Sequence, residues 1–269
     1  MLELRNPHSV IAALQARPGD VARLELPATP RGSASPEASR GSASPESARS
    51  GGPAWQQARE LAEQLAIPIG TLEDRGRSGP GDPNREPGRA RGPIARVKER
   101  APVTLDQLLA RADGEPAGLW LALDSLQDPQ NVGAIFRIAA FFGVRGILMP
   151  RDRSASITGT VYDVASGGVE TVPFAVETNL HRALGRVRDA GVWLLGSSEH
   201  ADRDVYAVPR DRPWMLIVGN EERGLRPRTL EACDDVVRVG PADEAGVTSL
   251  NVASATAVLV GALSRPSEG

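Results

Sequence analysis

SLNVASATAVLV, residues 249–260, predicts an apolar helix near the C-terminus whose side chains are unusually small. Thr248 or Ser249 can cap that helix, and its alanines would let another segment of backbone pack closely against it. Asn251 is predicted one turn into the helix, where a buried amide needs hydrogen-bond partners. A plain buried helix explains the apolar residues nearly as well, so the preceding segments have to be considered with it.

From Leu119 onward, apolar strands alternate with helices. We predict strands at 119–123, 146–149, 171–176, 192–196, 215–218 and 236–239, and helices at 131–142, 179–190, 227–233 and 250–263. Such alternation is typical of a mainly parallel sheet covered by helices on both faces. In α/β proteins of this kind, ligands bind at the carboxyl ends of the strands.

The first hundred residues predict a small α/β module with enlarged loops. Helices are expected at 8–15 and 54–65, and strands at 21–26 and 93–97. The segment RGSASPE occurs twice, starting at Arg31 and Arg40, in a tract that buries too little surface to offset its ordering entropy. We therefore predict disordered insertions at about 29–53 and 75–91. The predicted domains are 1–103 and 119–269, joined by a linker at 104–118.

Composition indicates a globular protein of the cytoplasm. The 269 residues are 41% hydrophobic, which is enough for a substantial core. A single cysteine, Cys233, excludes an internal disulfide and a thiolate metal cluster, and the three histidines show no metal-ligand spacing. Because of this cysteine and histidine pattern, we expect no bound metal. Because no segment resembles a signal peptide or a membrane span, we expect no membrane location.

Positive charge is concentrated in the N-terminal part. The net charge of −3 divides into +3 for residues 1–100 and −6 for the remainder. A basic cluster suited to phosphate contacts falls within sixteen positions: Arg85, Arg89, Arg91, Arg96, Lys98 and Arg100. A solvated linker would have the same composition, so both interpretations stay open.

Two common nucleotide-binding signatures are absent from the sequence. LALDSLQDPQN follows the first predicted strand of the large sheet where a dinucleotide-binding protein carries G-x-G-x-x-G. Gly219 and Gly224 have the spacing of a phosphate loop, but Leu225 and Arg226 replace its Lys and Ser or Thr. A nicotinamide enzyme and a nucleoside triphosphatase are therefore disfavoured, whereas a cofactor without phosphates would need neither signature.

Two further segments carry polar residues at predicted strand ends and helix starts. The first is NVGAIFR, residues 131–137. Asp128 and Pro129, which precede it, predict a helix start just before Asn131, and small neighbouring residues would leave space around Arg137. In IVGNEERGL, residues 217–225, a polar turn follows an apolar strand, where a ligand would lie. Taken singly, each segment also fits an ordinary capped helix or a surface turn.

The order and spacing of the three segments resemble the motifs of the SpoU (TrmH) branch of the SPOUT RNA methyltransferases, over about residues 119–263. The resemblance implies a deep trefoil knot, a homodimer, and methyl transfer from S-adenosylmethionine to a ribose 2'-oxygen. Matching cofactor-binding positions are Gly219, Val239 and Leu250, and matching catalytic positions are Asn131, Arg137, Glu221, Ser249 and Asn251.

The N-terminal part adds a narrower resemblance. PHSVIAAL at 7–14 and GPIARVK at 92–98 are similar to segments framing the L30e-like RNA-binding domain of the subgroup that modifies guanosine in bacterial 23S rRNA. Asn6 replaces a usual glycine, and the repeat-bearing insertion has no family counterpart. The open alternatives are a tRNA substrate and a non-catalytic RNA-binding or assembly factor of the same fold.

Within this resemblance Arg137 is the principal catalytic candidate. A guanidinium is almost always protonated, so stabilising a developing alkoxide or a nearby phosphate is easier than acting as a general base, although the base role stays open. Ser249 and Asn251 would position the ribose or the arginine, and Glu221 would brace the loop.

Overall fold

The structure is a computed structural model that describes residues 1–27, 52–72, 92–110, 118–152, 154–220, 222–240 and 249–264. The chain divides into two units, Met1–Glu99 and Arg100–Gly269. This division lies four residues before the predicted boundary at 103. The described part of the predicted linker carries helix α3, which packs in the core of the second unit. The predicted insertions lie outside the described residues, apart from Gly52 and Pro53 at the start of α2.

A four-stranded mixed sheet forms the first unit. Its strand order is β1-β4-β2-β3, in which β2 and β3 are parallel and the other pairs are antiparallel. The elements are β1 (Leu2–Leu4), α1 (Pro7–Ala16), β2 (Val21–Leu26), α2 (Pro53–Gln64), β3 (Ile69–Thr71) and β4 (Ile94–Val97). The four elements predicted here are confirmed within about one residue at each end. Strands β1 and β3 were not predicted, because three residues are too few to show a period.

Asn6 has a structural role at the start of α1. Its Oδ1 accepts a hydrogen bond from the backbone N–H of His8 at 2.9 Å, and Pro7 occupies the first helical position. Asparagine is a strong N-cap, so the departure from glycine at this position is compatible with the same helix. The L30e-like identity of the unit stays a prediction.

Part of the predicted basic cluster is engaged in intramolecular contacts. Arg96 Nε donates to Glu25 Oε1 at 2.9 Å, and its Nη2 lies 3.2 Å from Glu3 Oε1. Arg100 Nη1 donates to the carbonyl of Val172 at 2.9 Å within the second unit. Three members lie outside the described residues: Arg85, Arg89 and Arg91. Lys98 Nζ lies 3.8 Å from Asp20 Oδ1, so an RNA surface in this region would have to depend mainly on those three arginines.

Glu25 is the buried acceptor of this network. It is 6% exposed, and the hydrogen bond from Arg96, with a smaller contribution from Arg23, holds the pKa of the Glu25 carboxyl below its ordinary value. A group whose pKa is lowered by folding stabilises the native state above its unfolded-state pKa, and that contribution is lost as the pH falls through the folded-state pKa.

We expect Glu25→Gln to destabilise the first unit by about 1–3 kcal/mol at neutral pH, because the buried charge-assisted hydrogen bonds are lost. The difference from wild type should shrink as the pH falls below the ordinary range of a glutamate. Thermal unfolding of both proteins over a pH series measures this. Glu63→Gln removes an exposed carboxylate from its pair with Arg59 and should change stability by less than about 0.5 kcal/mol. A difference in stability between Glu25→Gln and wild type that does not change with pH would contradict the lowered pKa of Glu25.

A seven-stranded sheet forms the second unit. Its order is β7-β6-β5-β10-β8-β11-β9, and every pairing is parallel. The strands are β5 (Leu119–Asp124), β6 (Ile147–Pro150), β7 (Phe174–Glu177), β8 (Trp193–Ser197), β9 (Arg203–Asp204), β10 (Trp214–Gly219) and β11 (Asp235–Arg238). The helices are α3 (Leu105–Leu109), α4 (Pro129–Phe141), α5 (Gly159–Ala165), α6 (Gly168–Thr171), α7 (Leu180–Asp189), α8 (Pro227–Glu231) and α9 (Val252–Leu263). The predicted mainly parallel sheet is confirmed.

Both faces of the central strands are covered. All six residues of β5 and all six of β10 are buried, as expected for a parallel sheet between two helical layers. On one face, Trp120 and Ala122 pack with α3 and α7. Helix α4 packs against α5, α6 and α9.

The region after β6 differs from the prediction. The strand predicted from residue 171 begins at Phe174, and the preceding residues form the short helices α5 and α6. Gly168 permits α6 to contact α4, since a Cβ there would lie closer than 3.0 Å to the carbonyl of Phe136. A single glycine gives no periodic signal, so this packing could not be read from the sequence.

The connection between β11 and α9 includes residues 241–248, which lie outside the described residues. The trefoil knot therefore stays a prediction. Among the described residues, no helix has the length and hydrophobicity needed to cross a membrane.

Candidate functional site

A cleft of about 720 Å³ lies at the carboxyl ends of β8, β10 and β11 and is closed by the start of α9. It brings together four of the predicted site residues: Gly219, Val239, Ser249 and Leu250. Leu250 is 51% exposed, so its side chain is available to a ligand. Val252, Ala255 and Leu259 of α9 add further apolar lining.

Gly219 ends β10 where the chain folds back on itself. The backbone of Asn220 and Gly224 forms two hydrogen bonds of 3.0 and 2.9 Å, and Gly224 has a φ of +64°. A Cβ at Gly219 would lie closer than 3.0 Å to backbone atoms of Gly224 and Leu225. Because backbone cannot move aside as a flexible side chain can, only glycine fits here.

The side chain of Asn220 organises the turn that follows. Its Oδ1 accepts from the backbone N–H groups of Glu222 and Arg223 at 3.1 and 3.2 Å, and its Nδ2 donates to the carbonyl of Ser125 at 3.1 Å. The turn is thereby joined to the carboxyl end of β5. Glu221, a predicted catalytic residue in this turn, lies outside the described residues.

A buried carboxylate holds the far end of the same connection. Asp124, the last residue of β5, has no exposed surface, and its Oδ2 accepts from the backbone N–H of Arg226 at 3.2 Å. Arg226 Nε lies 2.6 Å from Asp124 Oδ1, which also accepts from Ser125 Oγ at 3.2 Å. Neither Asp124 nor Arg226 was predicted as a site residue. An acidic residue closing an entirely apolar strand is the signal that could have identified Asp124.

Asn131 and Asn251 meet directly. Asn251 Nδ2 donates to Asn131 Oδ1 at 3.1 Å, which joins the first turn of α4 to the start of α9. The predicted place of Asn131 in the first turn is confirmed, and the residue is 8% exposed.

The predicted cap of α9 is wrong. Asn251 is itself the N-cap, with its Oδ1 accepting from the backbone N–H of Ala253 at 2.9 Å, and the helix begins at Val252. Asn251 is therefore exposed at the helix terminus rather than buried one turn inside. Asparagine caps a helix as well as serine does, so sequence alone could not choose between Ser249 and Asn251.

Arg137 lies on α4 six residues after Asn131, which corresponds to roughly 9 Å along the helix axis. It is exposed, and its guanidinium makes no hydrogen bond or ion pair with any described residue. The predicted open space beside it at Gly133 is wrong, because α5 fills that side: a Cβ at Gly133 would lie 2.7 Å from Val164 Cβ.

Known proteins share both the sequence pattern and the fold. Residues 118–261 match the sequence model of the SpoU rRNA Methylase family. The chain is similar to the 23S rRNA (guanosine-2'-O-)-methyltransferase RlmB of Pseudomonas aeruginosa, with 36% identity over 209 residues, 77% of this chain and 81% of that protein. It is 41% identical to the protein of the same name from Ralstonia nicotianae over 156 residues, 58% of this chain and 61% of that protein.

Among solved structures, the chain is similar to the SpoU methyltransferase AviRb from Streptomyces viridochromogenes. The TM-score is 0.70 at 19% identity, covering 98% of this chain and 88% of that one. The structure of AviRb in complex with the cofactor AdoMet gives a TM-score of 0.67 at 21% identity, covering 97% of this chain and 88% of that one. At this identity the likeness concerns the fold.

Proposed function

Because the chain belongs to the SpoU rRNA methylase family, we propose that it transfers a methyl group from S-adenosylmethionine to a ribose 2'-hydroxyl, in a guanosine of 23S ribosomal RNA. The observation that carries this proposal is the convergence of the three sequence segments on one edge of the sheet. The second and third segments line one cleft, and the Asn131–Asn251 hydrogen bond joins the third segment to the first. The guanosine assignment is supported by what the similar proteins are named for. We also propose a cytoplasmic location, which a ribosomal RNA substrate supports.

The volume of the cleft suits a nucleoside-sized cofactor. At about 720 Å³, it is that of an ordinary small-molecule site. We propose that the backbone around Gly219 and Val239 holds the cofactor and that the exposed Leu250 side chain covers it. When bound, S-adenosylmethionine supplies an electrophilic methyl group.

The protein's own residues have two tasks in such a reaction. They must orient a ribose hydroxyl and stabilise the negative charge that develops on its oxygen as its proton passes to solvent water. We assign the second task to Arg137, whose guanidinium is exposed and makes no contact with described residues. Asn131, Asn251 and Ser249 would orient the ribose, and Glu221 would brace the loop after Gly219.

The proposed activity is tested by incubating the full chain with tritiated S-adenosylmethionine and separate 23S rRNA and tRNA fractions. Label in 23S rRNA, mapped to a guanosine 2'-oxygen, is the expected result. Label confined to tRNA would identify the alternative substrate. Cofactor binding without label in any RNA would favour the non-catalytic RNA-binding factor.

We also propose that a second copy of the chain covers the face formed by α4 and α9. Phe141 at the end of α4 is 82% exposed, and its ring lies 5.0 Å from that of Phe142 in an edge-to-face pair. Phe142 in turn lies near Gly261 of α9. An aromatic pair this exposed beside an apolar helix is typical of a protein interface.

Phe141→Asp should raise the dissociation constant of this dimer by at least about thirtyfold, because it places a charge in the centre of an apolar interface. Light scattering after size-exclusion chromatography measures the change in mass. Leu65→Asp, at an exposed position of the first unit, is the control and should leave the mass unchanged. A dimer that survives Phe141→Asp at the same concentration would show that another face forms it.

A further inference from the structure

A second cleft, of about 620 Å³, lies at the same edge of the large sheet, beyond the carboxyl ends of β6 and β7. It shares no lining residue with the cofactor cleft. The connection after β10 contributes lining residues to both clefts. Residues 219–220 and 222–225 line the cofactor cleft, and residues 226–229 line the second cleft. The other wall consists of Pro150, Asp152 and residues 178–181.

Arg226 is presented to this second cleft in a fixed position. Asp124 Oδ2 accepts a hydrogen bond from the backbone N–H of Arg226, and Arg226 Nε forms an ion pair with Asp124 Oδ1 at 2.6 Å without hydrogen-bond geometry. The rest of the guanidinium makes no hydrogen bond with a described residue, and the side chain is 41% exposed. A guanidinium fixed along one edge has already lost much of its rotational freedom, so its two amino groups are ready to bind an anion.

Arg228 adds a second positive charge to the same cleft. It is exposed on α8 and forms no ion pair with a described residue. Asp152 is the single carboxylate among the described residues that line the cleft, and Asp124, which lies behind Arg226, balances the charge of that arginine. Thr178 and Asn179 supply neutral polar groups on the opposite wall. A guanidinium held by a buried carboxylate, beside a second arginine that has no ion-pair partner among the described residues, suits a phosphate group.

We propose that this second cleft binds a backbone phosphate of the RNA substrate, next to the nucleotide that is methylated. The proposal rests on the proposed function, since it assigns the ligand by the RNA that the enzyme would modify. The end of β5 gives the two sites a physical link, because Asp124 binds Arg226 at one end of the connection after β10 and the adjacent Ser125 accepts a hydrogen bond from Asn220 at the other. A phosphate bound here would fix the strand relative to the methyl donor.

The proposal is tested with Arg228→Gln and Arg228→Glu. Neither variant alters the cofactor cleft, because Arg228 does not line it. The probe is a 23S rRNA transcript, whose affinity for the full chain is measured by filter binding over a range of KCl concentrations. Arg228→Gln should weaken binding about three- to tenfold and reduce the log–log salt slope by roughly 0.7–0.9, as for one lost phosphate contact. Arg228→Glu should weaken binding further, and calorimetry should show unchanged affinity for S-adenosylmethionine in both variants.

Arg212→Gln is the matched control. It also removes one arginine, but Arg212 stacks on Trp193 and precedes β10 at the opposite, amino-terminal edge of the sheet. If the Arg228 variants bind RNA with the same affinity and salt slope as Arg212→Gln, or if the wild type does not bind the transcript, the second cleft is not a phosphate site. Methyl transfer by the wild type to the same transcript is measured in parallel. If the wild type methylates the transcript but the Arg228 variants bind RNA normally, only the phosphate site is overturned. If the Arg228 variants bind RNA more weakly but the wild type transfers no methyl group, only the proposed function is overturned.

Discussion

Arg137→Ala is expected to lower the rate of methyl transfer about 10²- to 10³-fold while leaving the affinity for S-adenosylmethionine within a few fold. Loss of one group that stabilises a developing oxyanion has an effect of this size. The cofactor affinity should survive because Arg137 lies on α4 and does not line the cleft that holds the proposed cofactor residues. Single-turnover kinetics measures the rate, and calorimetry measures the binding.

Arg137→Lys is the matched variant. It keeps the positive charge but not the planar guanidinium, so a charge-stabilising role predicts partial recovery relative to alanine. A large loss of cofactor affinity in Arg137→Ala would show that the side chain belongs to the cofactor site instead. Unchanged methyl transfer would remove Arg137 from the catalytic set.

Gly219→Ala is expected to abolish measurable cofactor binding, with a loss of affinity of at least about a hundredfold. The added Cβ would overlap with the backbone of Gly224 and Leu225, so the turn would have to open. That turn lines the cofactor cleft, and its displacement would move Asn220 away from Ser125. Calorimetric titration with S-adenosylmethionine is the measurement, and circular dichroism confirms that the variant folds.

Gly185→Ala provides the control for that substitution. Gly185 lies in α7 with open space around it, so alanine should raise stability by about 0.5–1 kcal/mol and leave cofactor affinity unchanged. If Gly219→Ala binds the cofactor like Gly185→Ala, the turn either tolerates opening or does not contact the cofactor.

The large sheet could be predicted because its strands are continuous apolar runs separated by helical periods. LWLALD at 119–124 and WMLIVG at 214–219 are buried along their whole length, so the sequence carries the signal directly. The short strand at Arg203–Asp204 and the helix at Gly168–Thr171 could not be predicted, because they depend on neighbours distant in sequence rather than on a local pattern.

The candidate site was predictable only in part. The resemblance selected four residues that line one cleft and the asparagine pair that joins α4 to α9. The contact between Asp124 and Arg226 joins residues 102 positions apart, and no periodicity reports such a pairing. The role of Gly133 was misjudged for the same reason, since the helix that fills the space beside it was not foreseen.

The connection after β10 is held to the end of β5 by Asn220 near its start and by Arg226 at its end. The described residues at these two points therefore have few alternative conformations in the unliganded protein. Ligand binding would therefore freeze little additional motion in this part of the chain, and more of the contact energy would appear as affinity. Preorganisation of this kind allows a short turn between two clefts to recognise a small cofactor without a large closing movement.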